Sequence, residues 1–487
     1  MSKLQEIAKK EYSIKMTENG AMAYNTIFNS CLDLFATAGG LRPRTEDEIR
    51  RKFEKAFAES PEITTKMLFY VGNIRGGLGE RRTFNICLKW LAEEHPSVVV
   101  ANLENIPHFN RWDSLFTLVG TSCEKDMWRY IDKQLGEDII GMYENEPISL
   151  LAKWMPSENT SSKKTRQLAY KAISELHFTP RKYRKVLSKL RKYIDVTETK
   201  MSGQKWTDIN YGAVPSRAMM IYSEAFRKHD EEGFGEYITL LKKGESKINA
   251  STLFPYDLVK NYTDWGYTKR NEVAEQQWKA LHNYVEGDSN ILIMADVSGS
   301  MYGRPMDTSV GLAIYFAERN SGPLQGTYMT FTDRPHFQYI ETEDSLEEKV
   351  DKVMHTDVGY STNLEAAFDY LLSTAVENKF TQKDMPEAIC VISDMEVDQY
   401  MRPGYKWDFI QTQKAKYERC GYKFPKMILW NVESRQDTFL SQSEDVIFVS
   451  GQSPSVFKQF CGSLDGKTAY DFMMEVLDDE MYDCVVV

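Results

Sequence analysis

What this sequence lacks narrows it first. No part of its 487 residues forms an uninterrupted apolar run of about eighteen or more, so nothing reads as a membrane span. Histidine is scarce: there are seven, scattered, with no pair at metal-ligand spacing. No Ser/His/Asp or Cys/His set for nucleophilic catalysis emerges, and the expectation is a protein that is not an enzyme. The seven cysteines form no Cys-x-x-Cys pair, and their number is odd. This points to reduced thiols in a cytoplasm rather than a disulfide framework. The first residues lack the apolar centre of a secretory signal, so the sequons at Asn159, Asn249 and Asn261 carry no expectation of glycans. Strand-like alternation is missing before about residue 280, where the 3.6-residue period of amphipathic helices prevails.

Positive charge is lacking from one half of the chain. The net charge is −11. Residues 1–290 are weakly basic, and the acidic excess falls in 291–487. Any polyanion should therefore meet the first part.

The stretch that organises the chain is 291–301, Ile-Leu-Ile-Met-Ala-Asp-Val-Ser-Gly-Ser-Met. Its apolar run reads as a strand buried on both faces of a parallel sheet. It ends in Asp296, Ser298 and Ser300 on a turn eased by Gly299, and a helical run follows from about 309 to 319. One carboxylate and two hydroxyls suit Mg²⁺ or another hard divalent cation. No sulfur or imidazole is at hand for zinc. Two later stretches join it: the hydroxyl-rich 359–364, containing Thr362, and the apolar run 388–394, ending in Asp394. A metal-free structural or phosphate-binding turn is the bland alternative. An aspartyl phosphatase would need a second acid two residues after the first, where this chain has Ser298.

In residue type, order and spacing this set resembles the metal-ion-dependent adhesion site of von Willebrand factor A domains. That resemblance implies metal ligation by Asp296, Ser298 and Ser300, then Thr362, then Asp394. The alternation of strands and helices after 290 points to a doubly wound α/β sheet. The expected division is a helical module over 1–286 and an α/β domain over 287–487, the latter able to fold alone. The boundary falls in 286–289. The acidic run 478–480 and the end of the chain carry no functional signal.

Before 286 the reading is a pile of antiparallel helices with no fixed-length repeat. A helix is expected over 21–38, ended by Gly39-Gly40, and another over 272–284. Thr45 with Glu48 forms a capping box. The glycine-rich turn 74–82, with Arg75, Arg81 and Arg82, offers free amides and cations to a phosphate, but lacks the Gly-Lys-Ser/Thr of a nucleotide loop. It reads equally as a helix-hairpin turn with a solvated basic face.

The most basic stretch is 163–205. It carries Lys163, Lys164, Arg166, Lys171, Arg181, Lys182, Arg184, Lys185, Lys189, Arg191, Lys192, Lys200 and Lys205 against Glu175, Asp195 and Glu198. Tyr170, Tyr183, Tyr193 and Trp206 are interleaved. Cations grip phosphates and aromatics stack on bases, so this is a candidate single-stranded RNA surface. A solvated helix face with its tyrosines in the core reads equally well. Nothing indicates a DNA preference.

A helical module followed by such a domain resembles the Ro ribonucleoprotein autoantigen family, whose helical part is the TROVE module. The phrases at 74–81, 111–113, 152–154, 201–202 and 214–219 are closer to an uncharacterised TROVE-like family from viruses, bacteria and plants. The resemblance implies HEAT-like helical repeats in a ring closed by the A domain, which binds small non-coding RNA and single-stranded ends of misfolded RNA. It transfers no individual RNA-contacting residue. The implied function is an RNA-binding scaffold. The alternative is a protein-interaction module whose metal takes a carboxylate from a partner protein.

Overall fold

The computed structural model describes residues 2–263, 271–285, 290–331, 334–354, 362–398, 409–443, 446–460, 464 and 466–487. The expected boundary at 286–289 and the loop residues Gly359, Tyr360 and Ser361 lie outside them.

The first part is helical, with one exception. After a capped helix at Lys3–Ser13, β1 (Ile14–Met16) and β2 (Met22–Tyr24) form an antiparallel hairpin. This corrects the expected helix over 21–38, of which only Ser30–Phe35 is α-helical. The apolar residues had a helical spacing. However, Tyr24 exchanges backbone hydrogen bonds with Phe439, at 2.8 and 2.9 Å. A distant partner thus draws the segment into extended geometry, where tertiary contact overrides local preference.

The remaining helices follow their periodicity. Glu46–Glu59 starts at the Thr45–Glu48 capping box and buries Ile49, Phe53, Ala56 and Phe57 on one face. Pro61–Gly72, Arg81–Glu94 and Glu124–Glu144 continue the pile, followed by Lys163–Glu175 and Pro180–Tyr193. The helix expected to reach 284 ends at Lys279. The Tyr284 amide instead donates to the Tyr315 hydroxyl, 2.9 Å away. No helix among the described residues is long and apolar enough to cross a membrane.

The second part is α/β. Its strands are β3 (Ile291–Ala295), β4 (Thr327–Thr330), β5 (His336–Tyr339), β6 (Ala388–Ser393), β7 (Lys426–Asn431) and β8 (Val446–Ser450). They form one sheet in the order β5-β4-β3-β6-β7-β8, parallel except for β5 at the edge. Every residue of β3, β6 and β8 is buried, so both faces are covered. The winding reverses between β3 and β6. In open parallel sheets such a reversal opens a crevice beyond the carboxyl ends of the two strands.

The two parts share one apolar core, and a second, smaller core around Tyr211, Phe226 and Phe234 lies wholly within the helical part. At the seam Gly39 lies flat against Gly451, and a Cβ on Gly39 would come within 2.4 Å of the Gly451 Cα. The acidic end returns to the helices as a strap. Asp478 pairs with Lys66 at 2.9 Å, and the buried Tyr482 stacks on Phe109 and accepts from the Asn73 amide. The Asn102 side chain bonds Val486 in both directions. The α/β part is therefore stitched to the helices at both ends of the chain.

Candidate metal crevice and basic groove

Register brings the acids together. Ala295 pairs with Ile392, which sets Asp296 beside Ser393 and leaves Asp394 one step beyond. The Asp296 amide donates to the Ile392 carbonyl at 2.9 Å. Ser393 Oγ donates to Asp296 Oδ2 at 2.6 Å, and the Ser298 amide closes the turn on Asp296 Oδ1 at 2.9 Å. Ser298 Oγ and Ser300 Oγ lie 3.1 Å apart. Both carboxylates are sealed from solvent. Burial first, and the Asp394 charge second, push the Asp296 carboxyl up to about 6. Such a pair is short of positive charge.

One cation already answers part of that need. Arg435 donates to Asp394 Oδ2 at 2.6 Å and also reaches Glu18, 3.4 Å away. The Glu396 amide holds Asp394 Oδ1 at 3.0 Å. Met395, between the two acids, has a left-handed φ of 65°, a conformation that costs energy in a side-chain-bearing residue. The N-terminal hairpin turn reinforces this corner. The Glu18 amide donates to Glu396 Oε2 at 2.6 Å, and Thr17 Oγ1 to the Val397 carbonyl at 2.8 Å. Thr362 is buried and its amide donates to Asp398 Oδ2, 2.6 Å away, while the Asp398 amide returns a bond to the Thr362 carbonyl.

The two acids and the hydroxyls of Ser298, Ser300 and Thr362 thus belong to loops that are tied to one another. Among the described residues no three of His, Cys, Asp and Glu cluster for a metal, so hydroxyls would have to complete any ligand set. Hard oxygen donors around unbalanced buried carboxylates fit a hard divalent cation. Sequence reasoning missed Ser393, Glu396, Arg435 and Glu18. Ser393 could have been found, because it directly precedes Asp394 at a strand end. Arg435 and Glu18 gave no local signal.

The basic stretch folds into the helices Lys163–Glu175, Pro180–Tyr193 and the short Thr197–Ser202, and the most basic of them, Pro180–Tyr193, packs beside Glu124–Glu144. Between them lies a groove of about 740 Å³. Its floor includes Ile139, Met142, Val186 and Leu190, and Arg181, Lys182, Arg184, Lys185 and Lys189 line it from the basic helix. Tyr143, at the same groove, is 69% exposed. Lys163, Lys164, Arg166 and Lys192 are exposed outside the groove lining.

Some predicted contacts are committed elsewhere. Arg191 turns inward, bonding the carbonyls of Ala152 and Met155 and the Ser157 hydroxyl at 2.7–3.0 Å. Arg184 pairs with Glu158. Of the interleaved aromatics only Tyr170 is exposed. Tyr183 is buried, with its hydroxyl on the Pro156 carbonyl, and Trp206 stacks on His229.

The turn 74–82 favours the second of its two readings. Its amides at 75 and 76 bond Asn73 Oδ1, and those at 78, 79 and 80 bond carbonyls of Tyr70, Asn73 and Val71. These five are therefore not free for a phosphate. Gly77 is required because a Cβ there would meet the Tyr70 carbonyl at 2.1 Å. Arg75 is exposed, Arg81 pairs with Asp113 at 2.6 Å, and Arg82 donates to the Arg44 carbonyl at 2.9 Å.

Two family models match the chain. Residues 17–119 and 128–291 match a family described as a domain of unknown function, DUF2828, across more than half of the chain. The chain belongs to the DUF2828 family. Residues 290–482, the α/β part of this member, match a second domain of unknown function, DUF7788. An uncharacterised protein of Acanthamoeba polyphaga mimivirus is 29% identical, over 92% of this chain and 84% of the viral one.

Proposed function

We propose that this DUF2828 member is an RNA-binding scaffold of the TROVE type. On this reading the helical part, a HEAT-like module, grips non-coding or misfolded RNA, and the α/β part is a von Willebrand factor A-like domain that binds a divalent metal. The observation that carries the reading is the basic groove. A row of cations, Arg181, Lys182, Lys185 and Lys189 beside the Glu158-paired Arg184, over an apolar floor and with an exposed tyrosine beside it, suits a chain of phosphates bearing stackable bases. The weakly basic first part against a strongly acidic second supports the same side.

Asp296, Ser298, Ser300, Thr362 and Asp394 would hold Mg²⁺ or another hard divalent cation. When bound, the metal supplies positive charge at the crevice and an attachment point for an oxygen ligand. Asp296 and Asp394 would supply the charged ligands, Ser393 keeps Asp296 oriented, and Arg435 balances Asp394 through its Oδ2.

The test is binding of a labelled single-stranded RNA to the full chain at increasing salt. Affinity should fall steeply, because each neutralised phosphate releases counterions. A chain that binds no RNA even at low salt sinks this reading. The second reading, a metal-dependent module that takes a carboxylate from a partner protein, then replaces it. Glu18 favours that one, since it already carries a carboxylate from another part of the chain to the edge of the crevice.

A further inference from the structure

Away from the groove, a belt of arginines runs along the seam between the two parts. Glu80, buried, is held by Arg42 at 3.0 Å and approached by Arg304 at 3.5 Å. Asp113 is shared by Arg81 at 2.6 Å and Arg111 at 3.1 Å. Asp257, also buried, receives both Nη atoms of Arg217, at 3.2 and 2.9 Å, with Lys260 at 4.0 Å. Among the described residues each of the three carboxylates thus faces two cations, so cations outnumber acids in the belt even with Glu433 acting on Arg304. Arg82 adds another, since it donates only to backbone carbonyls.

The three clusters form one electrostatic unit. Arg111 is half-buried, and desolvation first, with the neighbouring charges of Arg81 and Arg217 after it, holds its guanidinium below the usual arginine range despite Asp113. Arg304 senses Glu80, Arg42 and Asp257. Two members lie over aromatic rings, Arg111 over Trp154 at 4.4 Å and Arg304 over Tyr256 at 4.1 Å. A guanidinium held over a ring still has N–H groups able to bond. Arg304 Nε is buried with no hydrogen-bond partner among the described residues. The cations nearest solvent remain available: the side chains of Arg42, Arg81 and Arg217 are 45%, 43% and 50% exposed.

A role confined to holding the seam would need one cation per acid. The surplus, partly exposed and pre-oriented, fits a ligand with several closely spaced negative charges and planar acceptor pairs, which is the chemistry of phosphates. The belt and the basic helix meet through one short helix. Trp154, under Arg111, ends the short helix Leu151–Trp154, whose Ala152 carbonyl is held by Arg191 of the basic helix.

We propose that this seam belt, on Arg42, Arg81, Arg82, Arg111, Arg217 and Arg304, is a second phosphate-binding surface that continues the RNA path from the groove to the α/β part. It rests on the RNA reading above and names a site outside 163–205.

The experiment uses the full chain and an oligouridylate of about 20 nucleotides, labelled at its 5′ end and followed by fluorescence anisotropy across a salt series. The variant is Arg81→Gln with Arg217→Gln, which leaves Arg111 on Asp113 and Lys260 near Asp257. Affinity should fall about tenfold, and the slope of log K against log salt should flatten by about 1.4, at about 0.7 per lost contact on single strands. A companion pair, Arg81→Lys with Arg217→Lys, keeps the charge and should retain the salt slope. Wild-type affinity and slope in the Gln pair would overturn the belt. So would a Lys pair as impaired as the Gln pair, because the effect would then be structural rather than electrostatic. Wild-type protein that binds the oligonucleotide while the Gln pair binds equally well removes the belt alone. Wild-type protein that binds none removes the RNA reading and the belt together.

Discussion

The helical groove and the α/β crevice are built on opposite electrostatic plans. In the groove, cations stand at the surface of one helix, most of them exposed, and their mutual repulsion is relieved by water and salt. In the crevice, two carboxylates are sealed at strand ends, where water cannot screen them. A like-charged surface can wait for its ligand at little cost. A like-charged interior needs a counter-charge; Arg435 supplies one to Asp394, while Asp296 keeps a raised pKa and a charge that is costly at neutral pH. On the proposed reading, the contrast suits the first site to association and the second to occupancy by a cation.

The largest effect expected is at the groove. Reversing Arg181, Lys182, Arg184 and Lys185 together to Glu should weaken RNA binding by about a thousandfold and flatten the salt slope by about 3, from four lost phosphate contacts at about 0.7 each. Filter binding at several salt concentrations reads both. Asp296→Ala should leave that affinity unchanged; a large loss there would break the independence of the two sites.

At the seam, Tyr482→Ala should cost about 3 kcal/mol of stability, because it removes a buried ring stacked on Phe109 and leaves the Asn73 amide without its acceptor. Denaturant titration measures it. A loss below about 0.5 kcal/mol would mean that the strap contributes little and that the α/β part stands apart from the helices.

The crevice comes next. In wild-type protein, saturating Mg²⁺ at a hundred times its Kd should add about 2.7 kcal/mol of stability, seen as a higher Tm than in EDTA. Asp296→Ala should abolish that difference. Without metal, pH acts in a defined direction. The folded carboxyl titrates at about 6 and the unfolded one near 3.9, so the folded state binds its proton more tightly. The protonated acid is tolerated below about 4, and the cost grows as pH rises through 4 to 6 and is complete above 6. In EDTA at pH 7, Asp296→Asn should therefore melt higher than wild type, and the gap should close toward pH 4. A gap independent of pH would show that Asp296 is not the titrating group.

The smallest effect separates a counter-ion from a bystander. Arg435→Gln should lower metal-free stability by about 1–2 kcal/mol and widen the gain from Mg²⁺, because the metal then neutralises Asp394 alone. If the Mg²⁺ gain stays at its wild-type value, Arg435 and the metal do not share that charge.

Much of the crevice was legible before folding. The Asp-x-Ser-x-Ser turn after one apolar run and the acid after another are local patterns, and parallel strands buried on both faces show as continuous apolar residues. Ser393 sat in the same pattern and was passed over. Arg435 and Glu18 could not be read, because their proximity to Asp394 depends on the β7–β8 region and the N-terminal hairpin meeting at one corner. The hairpin itself was hidden for the same reason, since its strand geometry is stabilised by pairing with Phe439 rather than by its own residues.

Sequence alone determined the succession of a helical part followed by an α/β part, the charge division between halves and the placement of oxygen side chains at strand ends, because periodicity, composition and strand-end chemistry are local. Only the tertiary structure decided which cations are available. Arg191 lies in the most basic stretch yet turns inward to backbone carbonyls, whereas Arg111, Arg217 and Arg304, far apart in the chain, gather along one seam. Charge is a property of a residue, but the field that a ligand meets is a property of the fold, summed over groups that packing brings within a few ångströms.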